Sequence, residues 1–448
     1  MSRARSRWST VTVLVALSGC LGALGSAPAA ARHQEPAGVA DTVRVSLRDS
    51  GDQLRRPSYS AALSRHGRYV AFATRAQRLV SDDDNQRSDV FVRDRATGVN
   101  ERVSVAPGGS EAAGNSTAPA VTPDGRYVAF TSDAPDLVAG DTNGDADVFV
   151  HDRLTGLTER VSVSSRGRQG SFSSESASIS ADGRFVAFVS PSPDLAPRDE
   201  GFSTDVFVHD RLTGRTERVS VTSDGQSAGT AGHGPTAQIS ANGRYVAFTS
   251  RSTEFVPRED NFAADVFVHD RTTGATEQVS VSSRGRQGDD SSYDPVLSAG
   301  GRYVAFSSYA TNLAGQDTNG FLDVYVHDRS TGQTERVSVS SDGQQADSGS
   351  VGQSISAGGR FVAFTTFGVP LVPGDTNDTS DVFVRDVVQQ TTVRVSVARH
   401  GGQADDVSFA PAISSDGRHV AFESSAGNLV PGDTNAVQDI VVRLRFRG

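Results

Sequence analysis

A short acidic segment contains the clearest candidate metal ligands in this sequence. Asp141, Asn143, Asp145 and Asp147 place carboxylate or amide side chains at alternate positions. Alternating oxygen donors in a tight loop suit a hard cation such as Ca²⁺. The same side chains also accept hydrogen bonds from their own backbone in Asx turns. The segment therefore predicts either a Ca²⁺ site or a set of structural turns, and Ca²⁺ is the only cofactor that the sequence suggests.

A second candidate site surrounds Ser227, which is the central residue of a Gly-x-Ser-x-Gly pattern. In hydrolases with this pattern the serine lies between a strand and a helix. The Gly- and Ser-rich residues that follow, up to Pro235, cannot form that helix. We therefore predict no catalytic residue, and we name Ser227 with the loop histidines His233 and His400 as candidate ligand-binding residues.

The first 31 residues have the composition of an export signal, with three arginines, an apolar stretch and a tract of small residues. Two cleavage sites compete. Residues 17–20 resemble a lipoprotein box that would place a lipid on Cys20, and residues 29–31 suit ordinary signal peptidase. We expect the mature protein to be extracytoplasmic, whether secreted, periplasmic or lipid-anchored. Cys20 is the only cysteine, so the mature chain can form no internal disulfide.

A repeated motif organises the rest of the chain. Gly, Arg, an aromatic residue, Val, Ala and Phe recur in that order at intervals of 58 residues, except for one interval of 60. The copies begin at Gly67, Gly125, Gly183, Gly243, Gly301, Gly359 and Gly417. In the last copy His419 replaces the aromatic residue. A fixed period of this kind is the signature of a repeat architecture.

Each copy contains four short segments that are rich in β-branched and aromatic residues, which predicts four strands. In the second segment of copy two, Val128 and Phe130 alternate with Tyr127 and Ala129, so both faces of the strand are apolar. Sheets stacked around an axis cover both faces. The sequence therefore predicts an all-β protein, a seven-bladed β-propeller with four antiparallel strands per blade.

The ends of the repeat array predict how the ring closes. The seventh copy lacks a fourth segment, while Val45 lies in phase with Val103 and Val161 in the fourth segments of copies one and two. We therefore expect the N-terminal strand to complete the last blade. The propeller is predicted over residues 43–448, after a linker at 32–42 and the signal at 1–31.

In such a blade, the loops between strands two and three and between successive blades lie on one face, while tight turns occupy the other. We call the first of these surfaces the long-loop face and the second the tight-turn face. We expect ligands to bind on the long-loop face. Each long loop begins with a predicted buried anchor: Leu79, Leu137, Leu195, Phe255, Leu313, Leu371 and Leu429. The loops of copies five, six and seven keep part of the acidic pattern. The residues are Asp317, Asn319 and Asp323 in copy five; Asp375, Asn377 and Asp381 in copy six; and Asp433, Asn435 and Asp439 in copy seven.

Four of the nine histidines occupy one repeated position at the end of the third strand, where other copies carry arginine. A residue present in most blades is expected to be structural, because a catalytic site breaks the symmetry. The histidines are His151, His209, His269 and His327, and the arginines are Arg93, Arg385 and Arg443.

The turn at 123–125, the strand at 127–130 and the segment at 147–150 resemble the repeats of the TolB-like, WD-repeat-like β-propeller family. The resemblance covers residues 43–448 and recurs seven times. It implies the propeller fold. Its functional implications are broad, since such repeats occur in periplasmic binding proteins, in accessory domains of peptidases and in some polysaccharide lyases.

The charge of the chain limits the classes of ligand that we expect it to bind. The formal net charge of −10 argues against a nucleic-acid ligand. We expect a monomeric, non-catalytic platform that binds a protein, peptide or glycan on the long-loop face, with membrane contact only through a lipid on Cys20. The alternative is a carbohydrate-active lyase or hydrolase built on the same scaffold.

Overall fold

The computed structural model divides the chain into two units, Met1–Gly38 and Val39–Gly448. It describes residues 41–197, 203–228, 236–256, 261–367, 371–398 and 401–445, which all belong to the second unit. The predicted export signal with Cys20 and the loop histidines His233 and His400 lie outside the described residues. Within the described ranges, no helix has the length and apolar character needed to cross a membrane.

The described residues form 28 strands, which pair into seven antiparallel sheets of four strands each. Blade one comprises β2 (Ser58–Leu63), β3 (Tyr69–Thr74), β4 (Asp89–Asp94) and β5 (Val99–Arg102). Blade two comprises β6 (Ser116–Val121), β7 (Tyr127–Ser132), β8 (Asp147–Asp152) and β9 (Leu157–Arg160). Blade three comprises β10 (Glu175–Ile179), β11 (Phe185–Ser190), β12 (Asp205–Asp210) and β13 (Arg215–Arg218).

The remaining blades repeat this order. Blade four comprises β14 (Ala237–Ile239), β15 (Tyr245–Ser250), β16 (Asp265–Asp270) and β17 (Thr276–Gln278). Blade five comprises β18 (Ser292–Leu297), β19 (Tyr303–Ser308), β20 (Asp323–Asp328) and β21 (Gln333–Arg336). Blade six comprises β22 (Ser350–Ile355), β23 (Phe361–Thr366), β24 (Asp381–Asp386) and β25 (Thr391–Arg394). Blade seven comprises β26 (Ser408–Ile413), β27 (His419–Ser424), β28 (Asp439–Leu444) and β1 (Thr42–Arg44). The predicted fold class is confirmed.

The N-terminal strand closes the ring as predicted. Val43 in β1 lies opposite Val442 in β28, in antiparallel register. The buried guanidinium of Arg44 forms an ion pair with Asp433 at 2.7 Å, and the Ser46 hydroxyl donates to Asp439 Oδ1 at 2.6 Å. Main-chain pairing, a buried ion pair and a buried hydrogen bond therefore fasten the first described residues to the last blade.

The hydrophobic core lies between neighbouring blades. Val92 of blade one packs with Val128 and Phe130 of blade two, and all three side chains are fully buried. The alternating apolar residues of each central strand supply both of its faces, so every sheet can be covered on both sides. All seven predicted loop anchors are buried: Leu79, Leu137, Leu195, Phe255, Leu313, Leu371 and Leu429.

The repeated Gly-Arg-aromatic motif joins neighbouring blades on the tight-turn face. Gly125 has φ +77, and a Cβ atom there would lie 2.1 Å from Cδ2 of Tyr69 in the preceding blade. Only glycine allows that ring to approach so closely. The guanidinium groups of Arg68 and Arg153 lie 4.9 Å and 4.6 Å from the centroid of the same ring. The motif therefore encodes an inter-blade contact as well as a turn.

The repeated histidines are buried between blades. His151 Nδ1 lies 2.9 Å from the Thr158 hydroxyl, which donates to the Val105 carbonyl of the preceding blade at 3.4 Å. Burial lowers the pKa of His151 to about 4, so the ring is neutral at physiological pH. In blade six, Arg385 instead donates directly to the Ser340 carbonyl of the preceding blade at 3.1 Å. These contacts agree with the predicted structural role.

Candidate functional site

A cavity of about 1810 Å³ lies on the long-loop face between blades seven and one. Its walls come from the connection that leads from β1 to β2, at residues 48 and 52–57, and from the first long loop, at residues 75–78 and 86. Thr434 and Asn435 of the last long loop contribute the third side. Tyr59, near the start of the innermost strand of blade one, also lines it.

The cavity is basic, although the chain as a whole is acidic. Five arginines line it, and Asp52 is the one acidic residue among its described lining residues. The arginines are Arg48, Arg55, Arg56, Arg75 and Arg78. We call this cavity with its five arginines the arginine pocket. Guanidinium groups gathered in a concave surface focus positive potential and attract anions.

The arginines differ in how firmly they are held. Arg48 donates to the Arg78 carbonyl at 2.6 Å and to the Gln77 carbonyl at 3.0 Å, so its guanidinium is fixed against the first long loop. Arg55, Arg56 and Arg75 are exposed and form no hydrogen bond or ion pair with the described residues. Their five donors each are therefore available to a ligand.

The arginine pocket breaks the sevenfold symmetry. In blade five, Asp289 and Asp290 occupy the positions equivalent to Arg55 and Arg56. The position of Arg78 is Asp136 in blade two. No other copy carries arginine at the positions of Arg55, Arg56 and Arg78, and several copies carry an acidic residue there. Neither the motifs nor the net charge of the sequence pointed to this site, although an alignment of the seven copies shows these arginines in blade one alone.

An ionic cluster beneath the long loop fixes the acidic residues of blade two, and related contacts recur in blades five and six. In blade two, the Gln169 amide donates to Asp141 Oδ1 at 2.7 Å and to Asp147 Oδ2 at 2.9 Å. The guanidinium of Arg160 lies 3.4 Å from each of these two carboxylates. Burial is the main cause of the raised pKa of Asp147.

The middle of the same loop forms an Asx turn, because the Asp145 backbone N–H donates to Asn143 Oδ1 at 3.0 Å. The Asn143 amide donates to the Gly170 carbonyl at 3.0 Å, which ties the loop to the next connection. Asp141 and Asp147 are thus already paired within the protein. The proposed Ca²⁺ site at Asp141, Asn143, Asp145 and Asp147 stays a prediction.

The other predicted ligand-binding residues are not brought together by the described structure. Ser227 is exposed and pairs with Val221 in an isolated β-bridge. At the equivalent position other blades carry Gln or Glu, such as Gln169 in blade two and Glu111 in blade one. Ser227 therefore occupies a repeated structural position. His233 and His400 lie outside the described residues, so their role stays a prediction.

Comparison with known proteins identifies the fold. No family model matches the sequence, and no curated protein matches it. An oligogalacturonate lyase from Vibrio parahaemolyticus is 12% identical, with a TM-score of 0.53, over 91% of this chain and 97% of that chain. The β-propeller domain of the Trilobed protease from Pyrococcus furiosus is 10% identical, with a TM-score of 0.53, over 87% and 95%.

TolB from Acinetobacter baumannii is also among the similar structures, at 15% identity and a TM-score of 0.40, over 76% of this chain and 63% of that chain. The lyase and the Trilobed protease domain, each with a TM-score of 0.53, show a shared fold and leave the ligand open. The predicted resemblance to propellers of this type is confirmed at the level of architecture. The chain is a seven-bladed β-propeller closed by its N-terminal strand.

Proposed function

We propose that this protein is an exported, non-catalytic β-propeller platform that binds an acidic glycan in the arginine pocket. The observation that carries the proposal is that the exposed guanidinium groups of Arg55, Arg56 and Arg75 share one cavity and form no hydrogen bond or ion pair with the part of the chain that the structure describes. The long-loop face is also where propellers and other scaffolds present variable loops to ligands.

The chemistry of the lining supports a carboxylated sugar chain. A guanidinium group binds a carboxylate through two parallel hydrogen bonds, and such charge-assisted bonds are stronger than neutral ones. Gln77, Gln86 and Asn435 place amides in the same lining, and amides can both donate to and accept from sugar hydroxyls. Tyr59 offers an aromatic surface at the inner edge. Carboxylates, hydroxyls and apolar sugar faces therefore all have complementary groups.

Calorimetric titration of the purified protein with trigalacturonate at low ionic strength tests the proposal. We expect saturable binding that weakens as salt is added, because exposed charges are screened. A neutral trisaccharide of galactose should bind at least about tenfold more weakly, since it lacks the carboxylates. Equal affinity for the two trisaccharides, or no binding of either, would contradict the proposal.

Matched variants locate the binding site. The double variant R55A/R56A should lower the affinity for trigalacturonate by about tenfold or more, because two charged donors are lost. R251A is the control for R75A, since Arg251 is the exposed blade-four equivalent of Arg75 and lies outside the pocket. R75A should weaken binding and R251A should not.

Two further outcomes would redirect the proposal. A short poly-glutamate peptide that binds more tightly than trigalacturonate would show that the partner is an acidic peptide. Cleavage of trigalacturonate during the titration, detected by chromatography, would show that the protein is a carbohydrate-active enzyme and contradict the non-catalytic assignment.

A further inference from the structure

The ionic cluster beneath the first long loop differs from its counterparts. Asp83, Asp89 and Arg102 of blade one correspond to Asp141, Asp147 and Arg160 of blade two, but Glu111 replaces Gln169. Apart from blade one, with Glu111, and the blade with Ser227, the remaining five blades carry glutamine at this position: Gln53, Gln169, Gln287, Gln345 and Gln403. Blade one therefore carries an additional carboxylate where most blades carry a neutral amide.

The three carboxylates of blade one converge. One oxygen each from Asp83, Asp89 and Glu111 lies within 4.8 Å of the others, and no other group of three potential ligands among the described residues meets that distance. Asp83 and Asp89 are only 2% and 0% exposed. Such a compact and buried set of oxygen donors matches the ligand chemistry of a hard cation.

Among the described residues, the local guanidinium forms its direct ion pair with Glu111 and not with the two aspartates. Arg102 donates to Glu111 Oε1 at 3.1 Å and to the Asp82 carbonyl at 2.8 Å. Within the described ranges it forms no ion pair closer than 4.0 Å with Asp83 or Asp89. In blade two, by contrast, Arg160 lies 3.4 Å from both equivalent carboxylates.

Asp89 consequently keeps one oxygen without a partner. Its Oδ1 accepts a hydrogen bond from the Ser104 hydroxyl at 2.6 Å, while the buried Oδ2 accepts none. In blade five the equivalent oxygen, Asp323 Oδ2, accepts from the Gln345 amide at 2.8 Å and lies 3.2 Å from Arg336. By this equivalence, Asp89 Oδ2 is directed at Glu111, where another acceptor stands instead of a donor.

A buried, unsatisfied carboxylate oxygen beside two further carboxylates is costly unless a cation or a proton compensates it. Three carboxylates and one guanidinium carry a formal charge of −2, which a single divalent cation neutralises. The corresponding clusters of blades two, five, six and seven each combine two aspartates, one arginine and a glutamine, and so carry −1.

We propose that Asp83, Asp89 and Glu111 of blade one form a Ca²⁺ site. Asp89 Oδ2 and carboxylate oxygens of Asp83 and Glu111 would supply the protein ligands. Ca²⁺ is the ion of choice because it accepts oxygen ligands in irregular geometry, whereas Mg²⁺ demands a near-ideal octahedron. The proposal is independent of the proposed glycan binding, since none of these three side chains lines the arginine pocket.

Calorimetric titration of the chelator-treated protein with calcium chloride tests this site. We expect one Ca²⁺ per chain and a rise in melting temperature, because a ligand that binds only the native state stabilises it. Magnesium chloride should bind at least tenfold more weakly. A flat calcium titration with no change in melting temperature would overturn the proposal, and preferential binding of Mg²⁺ would overturn the choice of ion.

The glutamine found at this position in most other blades suggests a matched variant. Glu111→Gln installs the residue that most blades already carry, so it should fold and melt at or above the temperature of the calcium-free parent. It should reduce the Ca²⁺ affinity at least tenfold. D145A tests the other predicted site, in blade two, and should leave Ca²⁺ binding unchanged if the ion lies in blade one. Retention of full affinity by E111Q, or its loss in D145A, would place the ion elsewhere and refute the assignment to blade one.

Discussion

The two faces of the propeller differ in how closely they follow the sevenfold repeat. On the tight-turn face nearly every blade carries the same contacts, such as the bidentate pairs of Arg126 with Asp152 in blade two and Arg184 with Asp210 in blade three. On the long-loop face, blade one carries Arg55 and Arg56 where blade five carries Asp289 and Asp290. Contacts repeated in nearly every blade belong to the framework of the propeller, whereas residues confined to one blade mark candidate ligand sites.

The largest effect should follow removal of the closing strand. A chain that begins at Arg48 lacks Arg44 with its buried pair to Asp433, the Ser46 bond to Asp439, and the buried Val45. Breaking a buried ion pair costs about 3–5 kcal/mol, and each buried valine contributes about 1.5–3 kcal/mol. We expect a lower melting temperature and aggregation, relative to a chain that begins at Val39. Melting within about 1 °C of that control would refute the closure mechanism.

The next largest effect should come from filling the inter-blade contact on the tight-turn face. Gly125→Ala places a methyl group against the Tyr69 ring, so we expect a loss of about 3 kcal/mol from overpacking and positive φ together. Gly156→Ala is the matched control, because Gly156 also has positive φ (+71) but has no atom within 4 Å of the position that a Cβ would take. Chemical denaturation should show a clearly smaller loss for the control. Equal losses would mean that the ring contact contributes nothing.

The buried histidines should make stability depend on pH. The folded-state pKa of His151 is about 4, below its unfolded value of 6.5, so its contribution is present above pH 6.5 and is lost as the pH falls toward 4. The loss amounts to about 3 kcal/mol for this group. H151R copies the arrangement of Arg385 with Thr392 in blade six. Denaturation curves from pH 7 to pH 4 should therefore fall less steeply for H151R, and identical slopes would exclude His151 as the cause.

The smallest effect on stability should come from the long-loop face. R55A/R56A removes two exposed side chains that form no hydrogen bond or ion pair with the described residues, so the free energy of unfolding should change by less than about 0.5 kcal/mol. Chemical denaturation of this variant and of R126A, which loses the repeated pair with Asp152, compares the contributions of the two faces to the free energy of unfolding. A larger loss in R55A/R56A than in R126A would reverse the comparison, because it would give the pocket arginines a structural role.

Much of the fold could be predicted because its contacts are local or strictly periodic. Apolar residues such as Val128 and Phe130 alternate with other apolar residues, so both faces of the strand had to be covered. The phase of Val45 in the repeat correctly predicted the closing strand. The sequence could not assign partners within the ionic clusters. Ser227 stood out as a motif, but the structure shows it at a repeated position that glutamine fills elsewhere.

The sequence by itself determined the number of blades, the strand order, the closure and the division into two faces, since each follows from a pattern that recurs along the chain. Only the tertiary structure decided which loops meet. The connection that carries Arg55 and Arg56 lies beside the loop that carries Arg75, and Glu111 returns to the vicinity of Asp83 and Asp89. Charges far apart along the chain interact only once the ring has folded, because electrostatic energy depends on distance in space.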